Sequence, residues 1–99
     1  MTVNDFFGNK IQQGDLLVYP GRQSSSIWMN VGVVTRIENG KAHIRSARRR
    51  VSEVELSRKG NILVCPERAV IIPRESLNGE FREVLWPLIA EAEVEFMAT

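Results

Sequence analysis

The chain has very few of the side chains from which enzymes and metal centres are built. Its 99 residues include one cysteine, one histidine and one tyrosine. A single cysteine excludes an intrachain disulfide and every zinc site that needs several cysteines. Phosphate-binding loops and calcium loops are also missing from the sequence. We therefore predict a protein that is not an enzyme and that uses no cofactor and no metal.

Long apolar runs are absent as well. No stretch approaches the roughly 20 apolar residues that cross a bilayer. The first ten residues contain Asp5 where a secretory leader carries basic residues, and they lack its apolar core. We expect a cytoplasmic protein with no membrane partner and no small-molecule substrate. The length predicts one domain, 1–99.

The charge is balanced overall but divided along the chain. Residues 1–74 carry twelve Lys and Arg against six acids (+6), whereas residues 75–99 carry one Arg against six Glu (−5). Such asymmetry indicates either different partners or internal complementarity. The simplest interpretation is a basic β domain beside an acidic helix.

Short β-branched runs separated by turn residues fill residues 14–73. Leu16–Tyr19 is predicted to be a strand that Pro20-Gly21 ends, and a polar loop follows over Arg22–Ser26. Gly32 lies inside the next β-branched run and predicts a bulge or a sharp bend, as at a barrel corner. Asn39-Gly40 between two runs is a strong hairpin signal. About five or six strands without a helix predict a small antiparallel barrel over 14–73, preceded by an arm over 1–13. In that arm, Phe6 or Phe7 is expected to plug one end of the barrel.

The last quarter of the chain changes to helical periodicity. Apolar residues recur at helical spacing and form one stripe: Phe81, Val84, Leu85, Leu88, Ile89, Ala92 and Phe96. The stripe keeps its phase across Pro87, which favours one kinked amphipathic helix over 76–98 rather than two helices. We expect this helix to pack on the barrel.

Two resemblances bear on the fold and origin. Gly14-Asp15, Val18, Gly21, Gly32-Val33-Val34 and Ile37 resemble the KOW pattern of SH3-like barrels in ribosomal proteins and transcription elongation factors. The resemblance covers about a third of the chain, and residues 22–27 replace the glycine-rich loop of that motif. It implies an SH3-like fold.

The stretch from Val18 to Asn30, VYPGRQSSSIWMN, is similar to small uncharacterised proteins encoded by actinobacteriophages. This resemblance implies a phage origin, early or accessory expression, and action in the bacterial cytoplasm. It implies no biochemical activity.

Basic residues supply one binding hypothesis. Arginine forks suit phosphate oxygens, and a basic patch is the expected footprint of nucleic-acid binding. The candidate residues for DNA or RNA are Arg36, Lys41, Arg45, Arg48, Arg49 and Arg50. In a regular strand, Arg48 and Arg50 face away from Arg49, whereas a bend would gather them. The alternative is a solvated, arginine-rich strand edge.

A protein partner is the other hypothesis. Arg22, Gln23 and Trp28 place polar residues beside a large aromatic, and Trp and Arg are enriched at interface hot spots. Trp86 on the acidic helix is a second candidate contact, for a host or phage protein or for a second copy of the chain. The alternative for Trp28 is a place in the core. We rank a host or phage protein above nucleic acid because the net charge is nearly balanced and stacking aromatics are few.

His43 and Cys65 are predicted to be structural. His43 shares a strand face with Arg45, and no acid close in sequence orients it as a base. Cys65 ends the run Ile62–Val64, which indicates a buried strand residue.

Overall fold

The computed structural model describes the backbone of residues 2–50 and 53–98, and the side chains of residues 2–50 and 53–94. Within this part of the chain, six strands precede one α-helix. In chain order they are β1 (Leu16–Gln23), β2 (Ser26–Glu38), β3 (Lys41–Arg49), β4 (Val54–Leu56), β5 (Asn61–Ile62), β6 (Val70–Ile72) and α1 (Gly79–Ala98). Two 3-10 turns, Pro66–Arg68 and Arg74–Ser76, flank β6.

The strands form one antiparallel sheet in the order β4-β3-β2-β1-β6. The short β5 also pairs with β3, at His43 and Ile44, whereas β4 pairs with β3 further along, at residues 47–49. The prediction of a mainly β, antiparallel fold with a C-terminal helix is therefore confirmed. No pairing between β4 and β6 closes the sheet within the described residues, so its ends remain apart.

The β2–β3 hairpin is the one that the sequence predicts. Asn39 and Gly40 form its turn with φ angles of 53° and 72°, the positive values that a tight, twist-matched hairpin requires. The bulge predicted at Gly32 is wrong in position, because the register shifts further along, between Val34 and Arg36. Gly32 instead pairs regularly, and a Cβ there would lie 3.1 Å from Cε1 of Tyr19.

Different structures pack on the two faces of the sheet. We call the side on which α1 packs the helix face. Its buried layer consists of Leu16, Val33, Ala47 and Val54 against Leu77, Leu85, Ile89 and Ala92. We call the opposite side the groove face. Its buried layer consists of Leu17, Val34, Ala42 and Ile44 against Val3, Ile11, Leu63 and Ala69.

The N-terminal residues are part of this packing, because Val3 and Ile11 are buried on the groove face. A turn around Asp5 joins them. The buried Asp5 carboxylate accepts hydrogen bonds from the backbone N–H groups of Phe7, Asn9 and Ile71. Burial tends to raise the pKa of Asp5, but these hydrogen bonds outweigh it and hold the pKa below 3.8. Phe6 and Phe7 plug nothing, since they are 64% and 70% exposed at the outside of this turn.

The helix is continuous across Pro87 and begins three residues later than predicted, because Arg74–Ser76 forms a 3-10 turn. The predicted stripe faces the sheet as far as Ala92, and Phe96 lies outside the described side chains. An ion pair between Arg74 and Glu93 ties the helix to that turn. No helix in the described part of the chain is long and apolar enough to cross a membrane.

Candidate binding groove

The candidate site is built on the β1–β2 hairpin, which is longer than the sequence suggests. The predicted polar loop over Arg22–Ser26 is wrong: pairing continues to Gln23 and Ser26, and only Ser24 and Ser25 form the turn. Ser24 takes a φ of 54° there. Polar residues are compatible with these strands because the hairpin tip projects beyond the core and is solvated.

Pro20 does not end β1 because, among the described residues, no strand pairs with the outer edge of β1 at that position. β6 covers β1 only from Leu16 to Val18, and a proline is tolerated on an edge where no partner strand needs its N–H. The strand therefore continues through Pro20-Gly21 and brings Gly21 opposite Trp28.

Trp28 lies across Gly21 on the groove face. A Cβ at residue 21 would lie 2.4 Å from Nε1 of Trp28, so only glycine leaves room for the ring. The indole N–H donates to Oδ1 of Asn30 at 3.1 Å. These two contacts, below and beside the ring, hold the indole in one orientation while it remains half-exposed.

Arg48 completes this arrangement from β3. Its guanidinium carbon lies 4.7 Å from the centroid of the Trp28 ring, within the range of a cation–π contact. The cross-strand neighbour of Arg48 on β4 is Glu55. That carboxylate binds Nε of Arg50 at 2.6 Å instead.

Tyr19 forms the inner end of the groove floor. Its ring packs on Gly32, where a Cβ would lie 3.1 Å from Cε1 and 3.6 Å from the hydroxyl oxygen of Tyr19. Burial raises the pKa of the Tyr19 phenol, although a hydrogen bond to Ser46 opposes that shift. The phenol is therefore neutral at physiological pH and serves as an apolar floor with a polar tip.

Residues 63–68 form the opposite wall. Leu63–Cys65 was predicted to continue a strand, but β5 ends at Ile62 and the chain passes over the sheet irregularly. Cys65 is half-buried in this segment rather than in a strand. The groove between wall and floor has a volume of about 670 Å³. Its lining contains no carboxylate and consists of Tyr19, Pro20, Gly21, Arg22, Ile27, Trp28, Asn30, Leu63, Val64, Cys65 and Arg68.

The residues predicted for protein binding do not all meet. Arg22 and Trp28 line the groove, and Gln23 lies exposed at the hairpin tip. Trp86 is on α1, on the other side of the sheet, where it is 40% exposed and stacks with Arg82 at 4.6 Å. The groove therefore contains half of this set.

The residues predicted for nucleic-acid binding are more widely separated. Arg48 contacts Trp28 but does not itself line the groove. Arg45 and Arg49 point to the helix face, where Arg49 lies 5.3 Å from the Phe81 ring. Arg45 donates to the Ser57 carbonyl at 2.8 Å, and its Nε is buried without a hydrogen-bond partner among the described residues. The other three lie elsewhere: Arg36 and Lys41 flank the Asn39–Gly40 turn, and Arg50 pairs with Glu55.

His43 has an acid neighbour that its local sequence does not show. The β2–β3 register brings a Glu38 carboxylate oxygen to 3.9 Å from Nε2 of His43, and the same oxygen binds Arg36 at 3.2 Å. Glu38 is exposed and shared, so the contact resembles a surface ion pair. Among the described residues, no group of three or more His, Cys, Asp or Glu is arranged to hold a metal ion.

Sequence reasoning missed several groove residues, and one signal could have found some of them. Gly21 and Trp28 are equidistant from Ser24-Ser25, as are Tyr19 and Asn30. A hairpin whose turn is Ser24-Ser25 pairs Gly21 with Trp28 and Tyr19 with Asn30, as the structure shows. Nothing local marks Arg68, which reaches the groove through the packing of the irregular segment.

The fold and groove define a small, mainly β protein with one covered sheet face and one partly open face. The chain belongs to the family described as domain of unknown function DUF7205, whose profile matches residues 3–65. The match includes all of the groove floor and ends before Arg68 and α1. Neither the curated proteins nor the solved structures contain a match to the chain.

Proposed function

We propose that the protein is a non-enzymatic binding module whose groove holds a segment of a partner protein. The observation that carries this proposal is the fixed, half-exposed Trp28 in a concave groove. Gly21, Asn30 and Arg48 set the ring orientation before any ligand arrives. A preorganised aromatic in a pocket resembles the hot spots that dominate protein interfaces.

Nucleic acid is the second candidate, favoured by Arg22 and Arg68, which line a groove that has no carboxylate in its lining, and by Arg48 at the Trp28 ring. We rank it lower for two reasons. The Trp28 ring, on which a base would stack, already contacts the Arg48 guanidinium. Arg36 and Arg50 are engaged by Glu38 and Glu55, and the six predicted basic residues do not share one face.

The origin and setting are also proposals. The likeness of residues 18–30 to actinobacteriophage proteins supports an accessory protein that acts on a host or phage protein in the bacterial cytoplasm. The antiparallel sheet is compatible with an SH3-like barrel. Self-association through the helix surface around Trp86 is a further proposal.

Affinity capture with matched tryptophan variants tests the protein-binding function. The immobilised chain is exposed to actinobacterial lysate, once untreated and once after nuclease treatment. We expect wild type and Trp86→Ala to retain the same protein and Trp28→Ala to lose it. Retention that Trp28→Ala leaves unchanged would reject the groove as the site. Retention that disappears with nuclease treatment would favour nucleic acid.

A further inference from the structure

We propose that the groove selects an acidic, apolar peptide segment, with the guanidinium of Arg48 binding an Asp or Glu side chain of that segment. This inference rests on the protein-binding function proposed above and adds the chemistry of the ligand. It assigns to Arg48 a role in specificity, separate from the apolar contact that Trp28 provides.

The position of Arg48 is constrained by Trp28. Its guanidinium lies over the indole, 4.7 Å from the ring centroid, and the residue is half-buried. A guanidinium carries five N–H donors and can give two parallel hydrogen bonds to one carboxylate. The contact with Trp28 restricts the side chain before binding and so reduces the entropy lost when a carboxylate binds.

The charge of Arg48 is not neutralised within the described side chains. The carboxylate nearest in the strand register, Glu55, binds Arg50. Other ion pairs among residues 2–50 and 53–94 use different arginines, Arg36 and Arg74. A half-buried cation without a carboxylate is favourably placed to accept one from a ligand.

The surroundings of Arg48 complement the same ligand. Arg22 and Arg68 line the groove, and no acidic side chain does. Ile27 and Val64 are 71% and 86% exposed beside them and offer apolar contacts. A segment with apolar side chains and negative charge matches both properties, whereas a basic segment would be repelled.

The molecule contains its own matched control. Arg82 stacks on Trp86 at 4.6 Å, nearly the same distance as in the Arg48–Trp28 pair. The control pair lies on α1, on the opposite side of the sheet and away from the groove. Substituting Arg82 therefore removes an equivalent stack and an equal charge without altering the groove.

The experiment selects random linear, C-terminally amidated peptides on the whole chain. We expect the wild type to enrich peptides that place Asp or Glu beside Leu, Phe or Trp. One selected peptide is then measured by fluorescence anisotropy beside its counterpart with Gln for Glu and Asn for Asp. We expect the neutral counterpart to bind about tenfold more weakly, as for loss of a charged hydrogen bond. Arg48→Gln should show a similar loss, and Arg82→Gln less than about twofold.

Each outcome separates the two proposals. Two results would overturn the acidic specificity while leaving the proposed protein binding intact. One is enrichment of peptides that have no acidic residue, and the other is equal affinity of the selected peptide for Arg48→Gln and for the wild type. Failure of every peptide, together with salt-sensitive binding of single-stranded DNA or RNA, would overturn both. If Arg48→Gln does not fold, the neutral peptide still decides: equal affinity for both peptides rejects the inference.

Discussion

The helix face and the groove face of the sheet are made by the same strands but closed in different ways. On the helix face, α1 places successive side chains against Leu16, Val33 and Ala47. On the groove face, irregular segments cover the side chains near Leu17. The part of the β1–β2 hairpin around Trp28 remains open. A helix satisfies its own backbone hydrogen bonds, whereas irregular chain must find other partners. The comparison shows that regular structure closes one face of the sheet, whereas irregular segments leave a groove on the other.

The two tryptophans express the same difference. Each stacks with an arginine at nearly the same distance. Trp86 stands on a convex helix surface, while Trp28 stands in a concave groove beside a wall. The two arginine–tryptophan pairs are chemically alike but lie on surfaces of different shape. We therefore expect substitutions in the two pairs to have different effects on binding.

The largest loss of stability should come from a substitution on the helix face. Leu85 is fully buried there, so Leu85→Ala should lower the free energy of unfolding by about 2–5 kcal/mol through lost burial and a cavity. The neighbouring Trp86→Ala removes a partly exposed ring and should cost about 1 kcal/mol or less. Urea unfolding followed by circular dichroism measures both. Equal losses would show that the helix does not pack through the Leu85 side.

The second-largest loss of stability should come from Asp5, which supports the groove face. Asp5→Asn keeps the size of the side chain but removes the charge that three backbone N–H groups share. We expect a loss of roughly 2–3 kcal/mol, because hydrogen bonds to charged acceptors are strong. Urea unfolding at neutral pH tests this. Exposed Glu67→Gln, as the control, should leave stability unchanged.

The same carboxylate predicts a pH dependence. The folded pKa of Asp5 is below 3.8, so its stabilisation is present above that value and disappears as pH falls through the folded pKa. The pH dependence that Asp15 contributes has the opposite direction. Burial raises the pKa of Asp15, so its contribution to folding stability is lost as pH rises through the raised pKa. The acid unfolding of Asp5→Asn should therefore be less steep than that of the wild type. An unchanged slope would contradict the role given to Asp5.

The smallest effect on stability should come from the open part of the groove face. Gly21→Ala introduces a Cβ that would clash with Trp28, and displacement of the ring should cost about 1–2 kcal/mol. In a Trp86→Phe background, Trp28 emission should shift to the red as the indole moves into water. Gly60→Ala, whose Cβ would approach the Ile44 carbonyl at 3.3 Å instead, should leave the emission unchanged. Emission that Gly21→Ala does not alter would show that the glycine does not position the ring.

Much of the fold could be predicted because its signals are local. The turn at Asn39-Gly40 needs only two residues, and the apolar stripe of α1 keeps its period across Pro87. The Ser24-Ser25 hairpin was not predicted because its strands are polar, and their pairing depends on register rather than burial. The sequence therefore shows the strands that form the core more clearly than those that extend beyond it.

The groove was less predictable because tertiary packing assembles it. Arg22 and Trp28 were found from residue type alone, but the wall from Leu63 to Arg68 comes from a distant part of the chain. Strand alternation explains why the consecutive Arg48 and Arg49 separate to opposite faces. A cluster of like residues in a sequence is therefore no guide to a cluster in space.

Pro20 has a consequence for how the protein behaves at high concentration. It lies where the outer edge of β1, opposite β2, has no partner strand among the described residues, and exposed backbone there could otherwise template growth by successive copies. A residue without an N–H interrupts such a ladder. The long hairpin can thus present its side chains openly while resisting assembly into fibrils.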